Sequence, residues 1–240
     1  MTVCTDDIRS FWLDRVRQFG PAARTTLNEQ PLRELEIRAM MRRIARSRPA
    51  RVLDVGCGNG YSTKLFARRF PGTQFTGIDF LPEMIASTGD DVPANCTFQV
   101  GDVLDPSSLP RGPFDLVITQ RCIQNLPGDA NQRKGVETLL ALRAPGGRLL
   151  LMECTRNGLR ALNRIRGRLG RPALEDVEPW HNRFLYEGRM KRRFGARVEH
   201  FTSTYMLLAK ALLPNRWCAR FAWRLPSIGR FGYARLFVIE

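Results

Sequence analysis

The residues of this chain whose types and spacing could do chemistry cluster first around Asp54-Val55-Gly56-Cys57-Gly58-Asn59-Gly60. An apolar stretch, Arg51-Val52-Leu53, ends in an acid and runs into a glycine turn, and helix formers follow from Tyr61. Glycines let backbone N–H groups approach a ligand, and a helix N-terminus favours electron-rich groups, so this corner is expected to cradle a nucleotide-like ligand. A dinucleotide turn would carry G-x-G-x-x-G, whose third glycine position is here Tyr61. Further along come Asp79 and Asp102, each closing an apolar run, then Gln120, and then Glu153. The chain has two histidines, His181 and His200. His181 sits in Glu178-Pro179-Trp180-His181-Asn182-Arg183, a combination suited to gripping a polar, anionic or sugar-like acceptor.

Elements must hold these groups. From Arg51 the chain alternates strand and helix, the pattern of a parallel sheet covered on both faces. Strands are expected at 51–55, 74–79, 96–100, 114–119, 148–154, 196–201 and 233–239. Helices are expected at 82–87, at roughly 131–143 and at 204–213, besides the one from Tyr61. In front lie an N-terminal arm, with Phe11-Trp12-Leu13-Asp14-Arg15 broken at Gly20-Pro21, and a helix opening at Pro31. In that helix Ile37, Met40, Met41 and Ile44 recur at helical spacing. The arm reads either as a packing strap or as a lid that brings Arg15 near a ligand carboxylate. Residues 155–195 carry many arginines and no clear strand, and long insertions in compact domains are usually functional.

Composition bounds the rest. The 43% hydrophobic content supplies a core, and no run of about 18 apolar residues marks a membrane span. The N-terminus lacks the features of a signal peptide. Cysteines at 4, 57, 96, 122, 154 and 218 show no metal spacing, so no metal is expected and reduced thiols in a cytoplasmic protein are. A net charge of +15 leaves nucleic acid, an anionic surface, an acidic small molecule and plain arginine bias all open.

Taken in order, Asp54-Val55-Gly56-Cys57-Gly58-Asn59-Gly60, Asp79, Gly101-Asp102-Val103, Phe114-Asp115-Leu116-Val117 and Leu142-Arg143-Ala144-Pro145-Gly146-Gly147 resemble the motifs of class I S-adenosylmethionine-dependent methyltransferases. The resemblance covers residues 51–154. It implies an α/β, Rossmann-like seven-stranded mixed sheet with helices on both faces, the last strand antiparallel, and helical insertions after strands 5 and 6. It implies one domain over 1–240: an arm (1–48), a donor-binding core (49–154), a substrate-capping insertion (155–195) and C-terminal strands with a further insertion (196–240). By resemblance the cofactor is S-adenosylmethionine. The backbone at Gly56 and Gly58 borders its amino-acid part, Asp54 and Gln120 approach its amino group, Asp79 takes the ribose, Phe80 lies against the adenine, and Asp102 with Val103 takes the adenine edge.

The segment after the fourth strand, Thr119-Gln120-Arg121-Cys122-Ile123-Gln124-Asn125, lacks the N/D-P-P-F/Y signature of many base N-methylating enzymes. Base methylation by that route is therefore disfavoured, and O-methylation of a polar small-molecule or carbohydrate-like hydroxyl is expected. His181 would act as base, Glu153 as a second base or an orienting group, with Trp180, Asn182 and Arg183 on the acceptor. Segments 162–170 and 179–182 loosely resemble a subgroup linked to glycan pathways. The rivals are an RNA- or N-directed enzyme and a donor-binding regulatory protein lying on a membrane surface through residues 214–231.

Overall fold

A computed structural model describes residues 5–175, 182–212, 221 and 224–240. Seven strands form one sheet: β1 (Arg51–Val55), β2 (Gln74–Asp79), β3 (Cys96–Val100), β4 (Phe114–Gln120), β5 (Arg143–Cys154), β6 (Arg197–His200) and β7 (Ala234–Ile239). Their order is β3-β2-β1-β4-β5-β7-β6. The pairs from β3 through β5 are parallel, and β7 inserts antiparallel between β5 and β6. The chain moves outward from β1 through β2 to β3, then returns to place β4 on the other side of β1. In open α/β sheets ligands bind beyond the strand ends at such a reversal.

Alternation along each strand builds two cores. Val52, Leu116, Ile118, Leu150 and Met152 point to one face, under α2 (Gln30–Ser47), α3 (Tyr61–Arg69), α6 (Arg156–Arg168) and α8 (Ser203–Met206). Leu53, Val55, Val117, Leu149 and Leu151 point to the other, under α5 (Gly128–Ala141) and α7 (Glu187–Phe194). Each fully buried Leu or Val contributes about 1.5–3 kcal/mol to holding these layers. The remaining helices are α1 (Thr5–Phe19) and the short α4 (Pro82–Ala86). Asp115 ties the sheet at its opposite end: its Oδ2 accepts from the Ala50 and Arg51 N–H groups at 2.8 Å each.

Several boundaries differ from expectation. β5 starts at Arg143, because a register shift between Phe114 and Leu116 lets the ladder carry Pro145-Gly146-Gly147 as an irregularity inside the strand. Proline in a strand is tolerated at such sites. Consequently α5 runs Gly128–Ala141, ahead of the expected 131–143. The segment expected to form one helix over 204–213 begins at Ser203 and continues as π-helical turns over Leu207–Leu212. The insertion after β5 is helical at both ends, with the Thr155 hydroxyl capping α6 by accepting from Gly158 N–H. No helix among the described residues is long and apolar enough to cross a membrane.

Candidate functional site

A cavity of about 330 Å³ opens at the carboxyl ends of β1, β2 and β4, within the size range of small-ligand sites. Its first wall is the turn between β1 and α3. Gly56 and Gly58 hold φ of +71° and +57°, which side-chain-bearing residues seldom adopt. A Cβ at Gly56 would lie 2.7 Å from Cys122 Cβ, and one at Gly58 would lie 2.5 Å from Thr26 Cγ2. The turn is tied to β2: Gly56 and Cys57 N–H donate to Ile78 O at 2.8 and 2.9 Å.

Asp79 joins this turn to the next. Its Oδ2 accepts from Gly58 N–H at 2.9 Å and its Oδ1 from Leu81 N–H at 3.1 Å. Burial pushes its carboxyl up to about 6, opposed by those same N–H groups. Each oxygen keeps a lone pair for a further donor, so the group fits a diol at the cavity. Phe80, Val103 and Asp102 line the adjoining wall, and Asp102 Oδ1 accepts from Leu104 N–H at 2.8 Å. Gln120 also lines the cavity. Across the opening lie Phe11, Trp12 and Arg15 of α1. Arg15 Nε donates to Thr25 O at 3.0 Å and an Nη to Asn28 Oδ1 at 2.9 Å, so its side chain secures the arm to the loop before α2.

Seven of the expected donor-site residues therefore meet at one cavity: Gly56, Gly58, Asp79, Phe80, Asp102, Val103 and Gln120. Asp54 does not line it. Its Oδ2 accepts from Thr63 Oγ1 at 2.6 Å behind the turn, and burial lifts its carboxyl to about 7. Glu153 does not line it either. At 1% exposure, it accepts from Thr119 Oγ1 (3.0 Å), Ile123 N–H (3.0 Å) and Gln124 N–H (3.1 Å), and burial raises it to about 7. Those bonds hold the loop after β4, which suits the orienting alternative for Glu153 better than the base. Asn182 does line the cavity, with its Oδ1 accepting from Gln124 Nε2 at 2.9 Å. Arg183 turns away and pairs with Asp129 at 2.6 Å. Trp180 and His181 lie outside the described residues. His200 stands on β6 away from the cavity, lowered to about 4 by burial and then by the Arg235 charge.

The second wall went unread in the sequence. Asn28 and Glu29, just before α2, and Arg33 and Glu36, in its first turns, line the cavity together with Arg121, Phe184 and Tyr233. Arg33 is 4% exposed, and burial lowers its guanidinium to about 10. Its Nη groups bond Thr26 Oγ1, Leu27 O and Ala23 O, while its Nε has no hydrogen-bond partner among the described residues. It also sits 5.3 Å over the Tyr61 ring, beside the glycine turn. Glu29 accepts from Tyr205 Oη and, at 3.0 Å, from Lys210 Nζ, joining α2 to the segment after α8. The available signal was a charge inside a buried helical stripe: Arg33 and Glu36 share the face of α2 that buries Leu32, Ile37 and Met40.

Comparison with known proteins agrees with this geometry. Residues 52–147 match a family model described as a methyltransferase domain. The chain is similar to a probable chloroplastic tocopherol O-methyltransferase of Oryza sativa subsp. japonica, 35% identical over 120 residues, covering 47% of this chain and 32% of that protein. It is similar to a trans-aconitate 2-methyltransferase of Methylobacterium nodulans, 36% identical over 108 residues, covering 45% of this chain and 40% of that protein. The matches thus span about a third to two fifths of the length of these relatives. A magnesium protoporphyrin IX methyltransferase from Synechocystis with bound S-adenosylhomocysteine shares the fold, with a TM-score of 0.61 at 19% identity over 97% of this chain and 95% of that one.

Proposed function

We propose that this chain, which belongs to the class I S-adenosylmethionine-dependent methyltransferases, methylates an oxygen of a small polar acceptor. The observation that carries the reading is the single cavity with two unlike walls: one of glycine backbone and Asp79, the other of Arg33, Glu36, Arg121, Asn182 and Tyr233. The donor supplies a sulfonium-bound methyl group, an electrophile that requires no metal. For the donor, Asp79 accepts from the ribose hydroxyls, Asp102 and Val103 face the adenine edge with Phe80, and Arg33 beside the glycine turn takes the tail carboxylate. The chain's own part in the reaction is positioning, which can supply much of the rate of an in-line displacement.

On the acceptor side, α1 and the Asn182–Phe184 stretch enclose the space, which favours a small molecule over a polymer. That the rice relative is named an O-methyltransferase supports oxygen as the acceptor atom. A hydroxyl acceptor, sugar-like or otherwise, needs a base, and His181, next in sequence to the cavity residue Asn182, is the residue we assign to it. The test is calorimetric titration with S-adenosylhomocysteine and with NAD, followed by transfer of labelled methyl to a panel of small hydroxy and carboxylic acids and sugars. We expect binding of S-adenosylhomocysteine alone and label in a base-labile or ether product. Tight NAD binding with no response to S-adenosylhomocysteine would overturn the reading. Turnover by His181→Ala equal to that of the unaltered chain would remove the histidine from it.

A further inference from the structure

Arg121 is out of place as a structural residue. Among the described residues only two other than glycine have positive φ, Arg48 and Arg121. Arg48, at φ +46°, closes α2 in the left-handed conformation that commonly ends a helix, its N–H donating to Ile44 O. Arg121, at φ +60°, has no such duty. It is the first residue past β4, its N–H donates to Met152 O at 2.8 Å, and its carbonyl accepts from Asn125 Nδ2 at 2.7 Å. A side chain held in this region is strained, and such outliers persist where surrounding structure imposes them, often at ligand sites.

What the strain achieves is the direction of the guanidinium. Nε and Nη2 of Arg121 converge on one oxygen of Glu36, Oε1, at 3.1 and 2.6 Å. A guanidinium has five N–H donors, so Nη1 and the second Nη2 hydrogen remain. No described residue accepts from them, and a fifth of the side chain stays accessible on the cavity wall. The charge balance of that wall agrees. Glu29 is matched by Lys210, whereas the one carboxylate of Glu36 stands against both Arg33 and Arg121. Arg33 lies against Tyr61 and Thr26, on the donor turn. Arg121 instead has Cys154 and Tyr233 among its neighbours, at the β5–β7 end of the cavity.

We infer that Arg121 is the acceptor-recognition residue and that the acceptor carries an oxyanion, a carboxylate or a phosphate, received by the free edge of its guanidinium. This rests on the donor-binding reading above. Arg is suited to the task, because its planar fork meets two oxygens at once. Glu36 serves as a positioning residue that fixes the plane of the fork. An anionic acceptor also fits a cavity that would already contain the positive sulfonium.

The test uses the chain saturated with S-adenosylhomocysteine, titrated calorimetrically with malonate, with inorganic phosphate and with neutral malonamide. We expect one of the anions to bind and malonamide not to. In Arg121→Met the bound anion should lose at least about tenfold in affinity, consistent with loss of one charged bidentate contact, while S-adenosylhomocysteine binding stays within about twofold. Because Arg121→Met leaves Glu36 unpaired in the interior, the double variant Glu36→Gln/Arg121→Met is measured beside it, and Arg121→Lys should recover part of the affinity. Binding of malonate identifies a carboxylate acceptor, and binding of phosphate alone a phosphorylated one. Equal anion affinity in the unaltered chain and the double variant overturns the inference. So does a variant that loses S-adenosylhomocysteine while keeping 5′-methylthioadenosine, which lacks the amino-acid tail, since Arg121 would then hold the donor. Failure of S-adenosylhomocysteine to bind the unaltered chain would instead overturn the donor-binding reading itself.

Discussion

Lowering the pH from about 8 to about 5 should weaken S-adenosylhomocysteine binding to the unaltered chain roughly tenfold, through protonation of Asp79. Burial holds the free chain's Asp79 carboxyl at about 6. The ribose hydroxyls need its ionised form, which accepts hydrogen bonds on both oxygens. About one pH unit below that value some ten carboxyls in eleven are protonated, so the apparent Kd rises about tenfold, and at lower pH it levels off at the affinity of the protonated form. Stability moves the other way. The folded value of about 6 lies above the ordinary 3.8, so the folded chain holds this proton more tightly than the unfolded chain. The resulting cost, on the order of 3 kcal/mol, is fully present above the folded value and vanishes as the pH falls through 3.8. Affinity and this part of the stability therefore run in opposite directions over the same window, which separates a binding effect from partial unfolding.

The assay is calorimetric titration at pH steps across that window, on the unaltered chain and on Asp79→Asn. The variant should bind about ten- to a hundredfold more weakly at the alkaline end, the loss expected for charge-assisted hydrogen bonds worth roughly 1.5–3 kcal/mol. Its affinity should also be nearly flat with pH. A flat profile in the unaltered chain refutes the assignment of Asp79 to the ribose. A variant that keeps the full slope refutes it too, by moving the titration to another group.

Two further outcomes follow from the walls of the cavity. Gly58→Ala sets a methyl 2.5 Å from Thr26 Cγ2 at a φ of +57°, so S-adenosylhomocysteine affinity should fall at least about tenfold; adding Thr26→Ser, which removes that Cγ2 and keeps the hydroxyl for Arg33, should restore part of it, and strict additivity of the two changes in a double-mutant cycle would show that the contact is not the cause. Glu153→Gln turns an amide group toward the Ile123 and Gln124 N–H donors and should cost about 1–3 kcal/mol, lowering the melting temperature by several degrees with donor affinity unchanged; a large loss of turnover at an unchanged melting temperature would return Glu153 to the chemistry.

The glycine-turn wall of the cavity was legible because its parts are local. A glycine forced to positive φ, an acid at a strand end and the periodicity of the strands all leave marks within a few residues. Hence the alternating strands and the placement of Asp79 and Asp102 at their ends followed from the residues, whereas the antiparallel last strand was implied by the family resemblance. Where reading failed, a partner elsewhere in the chain had decided the outcome. Asp54 stands at the right strand end but is turned to Thr63. Of the two readings of Glu153 at the end of β5, the base gives way to the orienting role, because amide donors of the 123–125 turn occupy it. Arg183 is next to a cavity residue but pairs with Asp129, 54 residues away. The start of β5 was misplaced because Pro145-Gly146-Gly147 has the composition of a turn, and only the ladder to β4 keeps it in the sheet.

The basic composition is the most instructive case. A net charge of +15 invites a surface argument, and arginines of α6 and α7 do lie at the surface, where water screens them. Arg33 and Arg121 add two charges to the total, and by count alone they are indistinguishable from the rest. Their setting separates them. In a partly dehydrated cavity a charge acts through a lower effective dielectric, so one guanidinium there with a free edge can outweigh many on the surface. The pairing that prepares Arg121 joins α2 to the end of β4 across 85 residues, a separation that no spacing rule covers. If Arg121 receives the acceptor as inferred above, the acceptor's charge is encoded in which arginine is buried against which carboxylate, a property of the fold rather than of the composition.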